Sequence, residues 1–272
     1  MRDNKLESES RRRGPLVAAA VVVVTLLLVA GALGFGKLRD IYLEQCVVTD
    51  MAAQVSITSG KMVKADIIAE NLGLRKGVNL AKVDFAERRR ELLVRIPTLR
   101  TVTITRKLPG KVEISAEERV PIAKMGVRGR RGVTGRVVDS EGMVFPCLRG
   151  TQLLPAIVVP PPGTAIGQML KGRPLAALRL VETCREPEFA DLSVLDVDIS
   201  KPDYLLVTMG GSYARAKISW EGMDDPDTGG REDLVARLKR LRTAIRSGAA
   251  DGAKLWNATM PDRIFADSER TN

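Results

Sequence analysis

Residues 101–123 read TVTITRKLPGKVEISAEERVPIA. Val102 and Ile104 alternate with Thr101, Thr103 and Thr105; beyond Leu108-Pro109-Gly110, the alternation resumes at Val112, Ile114 and Ala116. Strand side chains point to opposite faces with period two, and Pro-Gly is turn chemistry, so the stretch reads as two strands sharing one apolar face. Working backwards, Asp84 followed by Glu87 suits a helix N-terminus. Phe85, Leu92 and Ile96 form that helix's core stripe, and Pro97 stops it. Arg88, Arg89 and Arg90 read as its solvated face. Earlier still, Ala65, Ile68, Ala69 and Leu72 fall at i, i+3, i+4 and i+7, closed by Gly73. Val55 and Ile57 alternate with Ser56 and Thr58 in a short strand ending at Ser59-Gly60. The order is β-α-α-β-β. Each helix has one apolar stripe to bury, so both are expected on one face of a three-stranded sheet.

Ahead of this unit lies LVAAAVVVVTLLLVAGALGFG, residues 16–36, without one charge. At about 1.5 Å per residue it reaches roughly 30 Å, the thickness of a bilayer's hydrocarbon core. Arg2, Lys5, Arg11, Arg12 and Arg13 precede it, against Lys37 and Arg39 just after. The positive-inside bias places residues 1–15 in the cytoplasm as a short disordered tail, and the bulk of the chain outside. Ala30-Gly31-Ala32 would suit signal-peptide cleavage, but signal cores run only about 7–15 residues. The longer run favours an uncleaved single-pass anchor, followed by a membrane-proximal segment over residues 37–54.

The chain has 272 residues and a formal charge of +10, of which five basic and three acidic side chains within residues 1–36 account for +2. The other +8 is expected outside the cytoplasm, where acidic partners or an anionic envelope surface fit better than nucleic acid. Aromatic content is 4%, with no stacking stripe for single strands. Cys46, Cys147 and Cys184 are too sparse for a disulfide framework, although one bridge remains open beside the blander reading of buried thiols. Histidine is absent. That removes Ser-His-Asp and Cys-His catalysis and the HExxH zinc site, so no enzyme is expected. No cofactor is implied.

Beyond the hairpin, residues 151–163 read as a proline-rich connection, with Pro160, Pro161 and Pro162 disfavouring a central strand. Leu170 to Cys184 looks helical. Val194, Val197 and Ile199 mark a strand region, and Tyr204–Met209 with Ala214–Ile218 a hairpin about Gly210-Gly211. Leu234, Leu238, Leu241 and Ile245 line an amphipathic helix with Arg237, Lys239, Arg240 and Arg242 outward. Lys254–Met260 and Ile264–Ala266 close the chain as a strand pair. The fold class expected is α+β: one membrane helix, a β-α-α-β-β unit over residues 55–123, and a mainly antiparallel β domain over residues 124–267. Residues 268–272 read as a disordered tail.

Several landmarks recur in a recognisable series. They are Val55-x-Ile57-x-x-Gly60, Leu74-x-x-Gly77-x-Asn79-Leu80, Ile96-Pro97-x-Leu99, Arg106-x-Leu108-Pro109 and Glu118-Arg119-Val120-Pro121-Ile122-Ala123. With Val137-Val138-Asp139-x-x-Gly142-x-Val144-Phe145 following, the chain resembles bacterial cell-division proteins of the FtsQ/DivIB type. Two departures stand out: Lys64 replaces the usual Ser or Thr helix cap, and Gly126–Arg136 is longer and more basic. The resemblance implies a POTRA domain and a β domain in a scaffold of the inner membrane, enriched at the division septum. It also implies partners: an FtsB–FtsL-like pair and the septal synthase complex, to which the scaffold links early divisome components.

By position in that family, partner docking maps onto the terminal strand, Arg263, Ile264, Phe265 and Ala266, with Arg237 and Arg240 on the helix beside it. The alternative is an ordinary edge strand with Ile264 or Phe265 packed inward. A weaker candidate surface lies on the POTRA unit at Val55, Ile57, Lys61 and Ile67, since sheet edges accept added strands. Gly129, Gly132 and Gly135 lie in a basic loop with no βαβ unit around them and read as a linker. Asp224, Asp225 and Asp227 lack the EF-hand's closing glutamate and read as a solvated turn. Asp196 and Asp198 read as a strand's exposed face. The other function class weighed is a POTRA-containing recruiter of an envelope export or assembly system.

Overall fold

The computed structural model describes residues 22–29, 31, 34–107, 109–127, 135–210, 214–225, 227, 229–247 and 253–266. The expected tail over residues 1–15, the start of the apolar run, most of the basic Gly126–Arg136 stretch and residues 268–272 lie outside them.

Helix α1 (Val22–Gln45) is long and apolar enough to cross a membrane. It continues as one helix past Lys37, Arg39, Asp40 and Glu44, into what the sequence suggests is a separate membrane-proximal segment. A short helix α2 (Met51–Gln54) follows, its N-cap Asp50 accepting the Ala52 N–H.

Strand β1 (Val55–Thr58), helix α3 (Ala65–Asn71), helix α4 (Phe85–Arg95), strand β2 (Leu99–Lys107) and strand β3 (Lys111–Glu118) give the expected order. The sheet runs β1-β3-β2, with β1 parallel to β3 and Val55 and Ile57 opposite Val112 and Ile114. Asp84 caps α4 as its spacing suggests, accepting the Ala86 and Glu87 N–H groups at 3.0 and 3.1 Å. Ile68, Ala69, Leu72, Leu92, Val102, Val112, Ile114 and Ala116 are all buried, and Arg88, Arg89 and Arg90 are exposed.

The remaining strands make one nine-stranded sheet: β4 (Ala123–Val127), β5 (Arg136–Val138), β6 (Val144–Pro146), β7 (Ala156–Val159), β8 (Val194–Asp198), β9 (Leu205–Met209), β10 (Arg215–Ile218), β11 (Leu255–Ala258) and β12 (Phe265–Ala266). Their order is β12-β11-β10-β9-β8-β7-β4-β5-β6. The sheet is mainly antiparallel, but β4/β7, β7/β8 and β10/β11 pair in parallel. Parallel neighbours need a long crossover. Helix α5 (Arg173–Cys184) supplies it between β7 and β8, and helix α6 (Gly230–Arg246) between β10 and β11.

One expectation is corrected. The proline-rich connection over residues 151–163 contains β7, an interior strand with β4 and β8 on its two sides. Its four residues, AIVV, are apolar and mostly β-branched, and the prolines stand outside them at Pro155 and Pro160–Pro162. Proline cannot donate to a ladder, but flanking a strand it costs nothing; the Pro155 carbonyl even accepts the Lys124 N–H at 2.8 Å.

The chain divides into two compact units that cut across the β-α-α-β-β boundary. One takes the chain up to Thr58 with Ala65–Arg88 and Thr103–Ser115; the other takes Ser59–Lys64, Arg89–Val102 and everything from Ala116. The second unit's core joins Leu178, Leu180 and Val181 of α5, Leu234, Leu238 and Leu241 of α6, and the inward rows of the large sheet.

Candidate partner-binding surfaces

The two edges of the nine-stranded sheet are built differently. At β6, a returning segment covers the edge: the Val144 N–H donates to the Gln168 carbonyl (3.0 Å), the Gly167 N–H donates to the Val144 carbonyl (2.7 Å), and Met143 and Met169 form an isolated bridge. At the other end β12 is outermost, a two-residue strand with a neighbour on one side among the described residues. An uncovered edge presents backbone groups that another chain can pair with.

Register decides where the terminal side chains go. Phe265 sits opposite Asn257, which sits opposite Lys217, Leu206 and then Asp198 along the same face. Ala266 shares its row with Trp256, Ala216, Val207 and Val197, the face that buries against α5 and α6. Phe265 therefore stands on the face away from the helices and is 43% exposed, whereas Ile264 packs against the core. The sequence left open which of the two points inward; it is Ile264. Asn257 holds the preceding turn, its Oδ1 accepting from the Thr259 N–H and hydroxyl at 3.1 and 2.8 Å. Arg263 is exposed beside Asp262.

Of the two basic residues placed beside this strand, Arg240 is exposed and Arg237 is not. Arg237 is half-buried, donating from Nη1 to the Ser219 carbonyl (3.2 Å), and its Nε has no acceptor among the described residues. Burial pushes its guanidinium's pKa down. The outward reading of Arg237 is thus corrected. Its neighbours on α6 are engaged as well: Arg242 and Arg246 pair with Asp191, Lys239 with Glu188, and Arg231 with Glu186. These acids lie on or beside a 3₁₀ turn over Pro187–Leu192, so the helix's basic face is largely tied to its own domain.

On the smaller sheet, β1 lies at an edge. Val55 and Ile57 are half-buried, Lys61 and Ile67 exposed. The Lys61, Met62 and Val63 N–H groups all donate to the Glu118 carboxylate, at 2.9, 2.8 and 2.7 Å.

A charged cluster escaped the sequence reading. Arg119 donates from Nε to the Pro97 carbonyl (3.1 Å) and from Nη1 to Asp139 and Glu141. Arg100 reaches the other Glu141 oxygen at 2.8 Å. Asp139 also accepts the Glu141 and Met143 N–H groups. Hydrogen bonds from Arg119 and Arg100 hold the Glu141 carboxyl below its ordinary range. The Arg119 and Asp139 side chains are 10% and 4% exposed. A hint was present, since both residues sit in motifs that carry the family resemblance, but their partnership spans twenty residues and no local pattern announces it.

Asp196 and Asp198 are half-buried, which corrects the exposed-face reading. Burial raises the Asp196 carboxyl, the Thr208 hydroxyl opposes this by donating to it at 3.1 Å, and the neighbouring Asp198 charge raises it further. All three cysteines are buried free thiols, Cys184 pushed up to about 12 by burial.

Residues 52–119 match the family model described as the POTRA domain, FtsQ-type. No curated protein matches the chain. Residues 52–119 are thus a POTRA domain of the FtsQ type, following an apolar helix of membrane length in the chain and preceding a β-rich domain that ends in a helix and strands.

Proposed function

We propose that this chain is a non-enzymatic, single-pass scaffold of bacterial cell division, docking partners through open sheet edges. The observation that carries the reading is the contrast between edges: β6 is strapped over by residues 167–169, whereas β12 ends the sheet with nothing across it among the described residues, its own Phe265 exposed. β-Augmentation needs such an edge for backbone pairing and a nearby side chain for selectivity. The FtsQ-type POTRA domain supports the division context. In this reading the N-terminus lies in the cytoplasm, the folded units lie outside the inner membrane at the septum, and the partner at β12 is a small coiled-coil pair of FtsB–FtsL type. Through such docking the scaffold links early divisome components to the septal synthase complex. The edge of β1, at Val55 and Ile57 and with Ile67 of the same unit, serves as a secondary surface. Co-purification of the membrane-anchored chain with the organism's own membrane proteins tests the role. Recovery of small single-span coiled-coil proteins supports it; recovery of barrel or secreted cargo proteins without them contradicts it.

A further inference from the structure

Helix α1 enters the first compact unit without a linker. The apolar run ends at Gly36 and the helix at Gln45, about 14 Å further along the axis. Cys46 and Val48 directly after it are fully buried. The Leu43 carbonyl accepts the Asn79 side-chain amide at 2.8 Å, and the Cys46 carbonyl accepts the Leu80 N–H at 2.9 Å. Val48 exchanges two bonds with the same loop, donating to the Val78 carbonyl and accepting from the Gly77 N–H, both at 2.8 Å. On another side, Gly110 comes so close that a Cβ there would stand 2.6 Å from the Gln45 carbonyl oxygen. The helix end is clamped between two loops.

Both loops carry exposed basic residues, Arg75 and Lys76 in one, Lys107 and Lys111 flanking the turn of the other. Lys37 and Arg39 stand exposed on the helix itself. The charge is not undiluted, because Lys107 pairs with Glu113 at 2.6 Å and Asp40 and Glu44 share the helix. Between the apolar run and the fold, the helix also exposes Leu38, Ile41 and Tyr42. A headgroup layer is roughly 5–8 Å thick on each side of the hydrocarbon core. The base of the unit therefore starts within about one Debye length of the headgroups.

We infer that Arg75, Lys76, Lys107 and Lys111 form a collar that binds the anionic phospholipid headgroups of the leaflet from which α1 emerges. Continuity of the helix with the bilayer chooses the occupant: any charge held this close to the helix exit meets lipid before any soluble partner. The collar and the linkerless joint together set the height and tilt of the first unit. This does not rest on the docking role proposed above.

The test uses the full chain in nanodiscs of phosphatidylcholine alone, or with a third of it replaced by phosphatidylglycerol. A fluorophore is placed by Pro109→Cys; the native thiols are buried and stay unlabelled. Each disc carries the same amount of headgroup-attached quencher. Quenching is expected to rise by at least about twofold in the anionic discs and to fall back in high salt. Arg75→Glu with Lys76→Glu is expected to abolish the rise, and the milder Arg75→Gln with Lys76→Gln to reduce it, each at an unchanged thermal midpoint. Equal quenching in the two bilayers, or a rise that survives both paired variants, overturns the inference.

Discussion

Gly60 lies so close to Glu118 that a Cβ on it would come within 2.1 Å of the carboxylate oxygen Oε2. The reason is the job that Glu118 does, gathering three consecutive backbone N–H groups in the turn before α3. Lys64 offers no side-chain cap of the usual Ser or Thr kind at this helix. A carboxylate from β3, fifty-seven residues beyond Lys61, orders the approach to it instead. Gly60→Ala is expected to destabilise the fold by about 1–3 kcal/mol, since the carboxylate must move or its bonds break. Glu118→Ala should cost a similar amount by leaving three donors without it, and Glu118→Gln less. Urea unfolding of the three variants checks the order.

Arg119 and Asp139 form a nearly dry ion pair. Removing Asp139 leaves the buried Arg119 with Glu141 as its only charged partner, at a cost below the about 3–5 kcal/mol of a fully stranded buried charge. Asp139→Ala is therefore expected to be more damaging than Arg119→Met combined with Asp139→Leu. Thermal midpoints of the single and double variants settle it, and a double variant worse than the single contradicts the account.

Asp196 carries a sign that can be checked. Its folded-state pKa lies above the ordinary carboxylate value, so the folded form holds its proton to higher pH than the unfolded form does. Ionisation at neutral pH then works against folding, and stability contributed by this site rises as pH falls through the raised pKa. Asp196→Asn keeps an acceptor for the Thr208 hydroxyl and is expected to raise the midpoint at pH 7 by a few degrees, with the gain shrinking near pH 4. Glu141 has the opposite sign. Its lowered pKa contributes stability above the unfolded value of about 4.3, lost as pH drops below it, so Glu141→Gln should flatten the acid limb of the stability profile.

How much of this was legible in the sequence depends on sequence distance. The β-α-α-β-β unit follows from period-two and period-3.6 patterns with Pro109-Gly110, Gly73 and Asp84 as punctuation, all local signals. β7 was hidden because proline is a local signal too, and the pairing of Lys124 with Ala156 that makes the strand central is set by no turn between them. On α6, Lys239 and Arg240 are exposed as the pattern suggests, but nothing local connects Arg242 with Asp191. At the candidate site, two residues are too few for alternation to assign Ile264 and Phe265 to faces; only the register opposite Asn257 does so. The motif residues Glu118 and Arg119 mark the family, and the structure gives both a supporting role in the fold.

The central claim is that the β12 edge captures a partner through an added strand and the exposed Phe265. The direct measurement titrates the folded chain, and its Phe265→Lys variant, against the organism's own small coiled-coil division pair. A loss of affinity of at least about tenfold, with the thermal midpoint unchanged, is the predicted result, as expected for truncating an aromatic anchor. Equal binding by the two proteins would contradict the account, and so would an absence of binding by the unaltered chain.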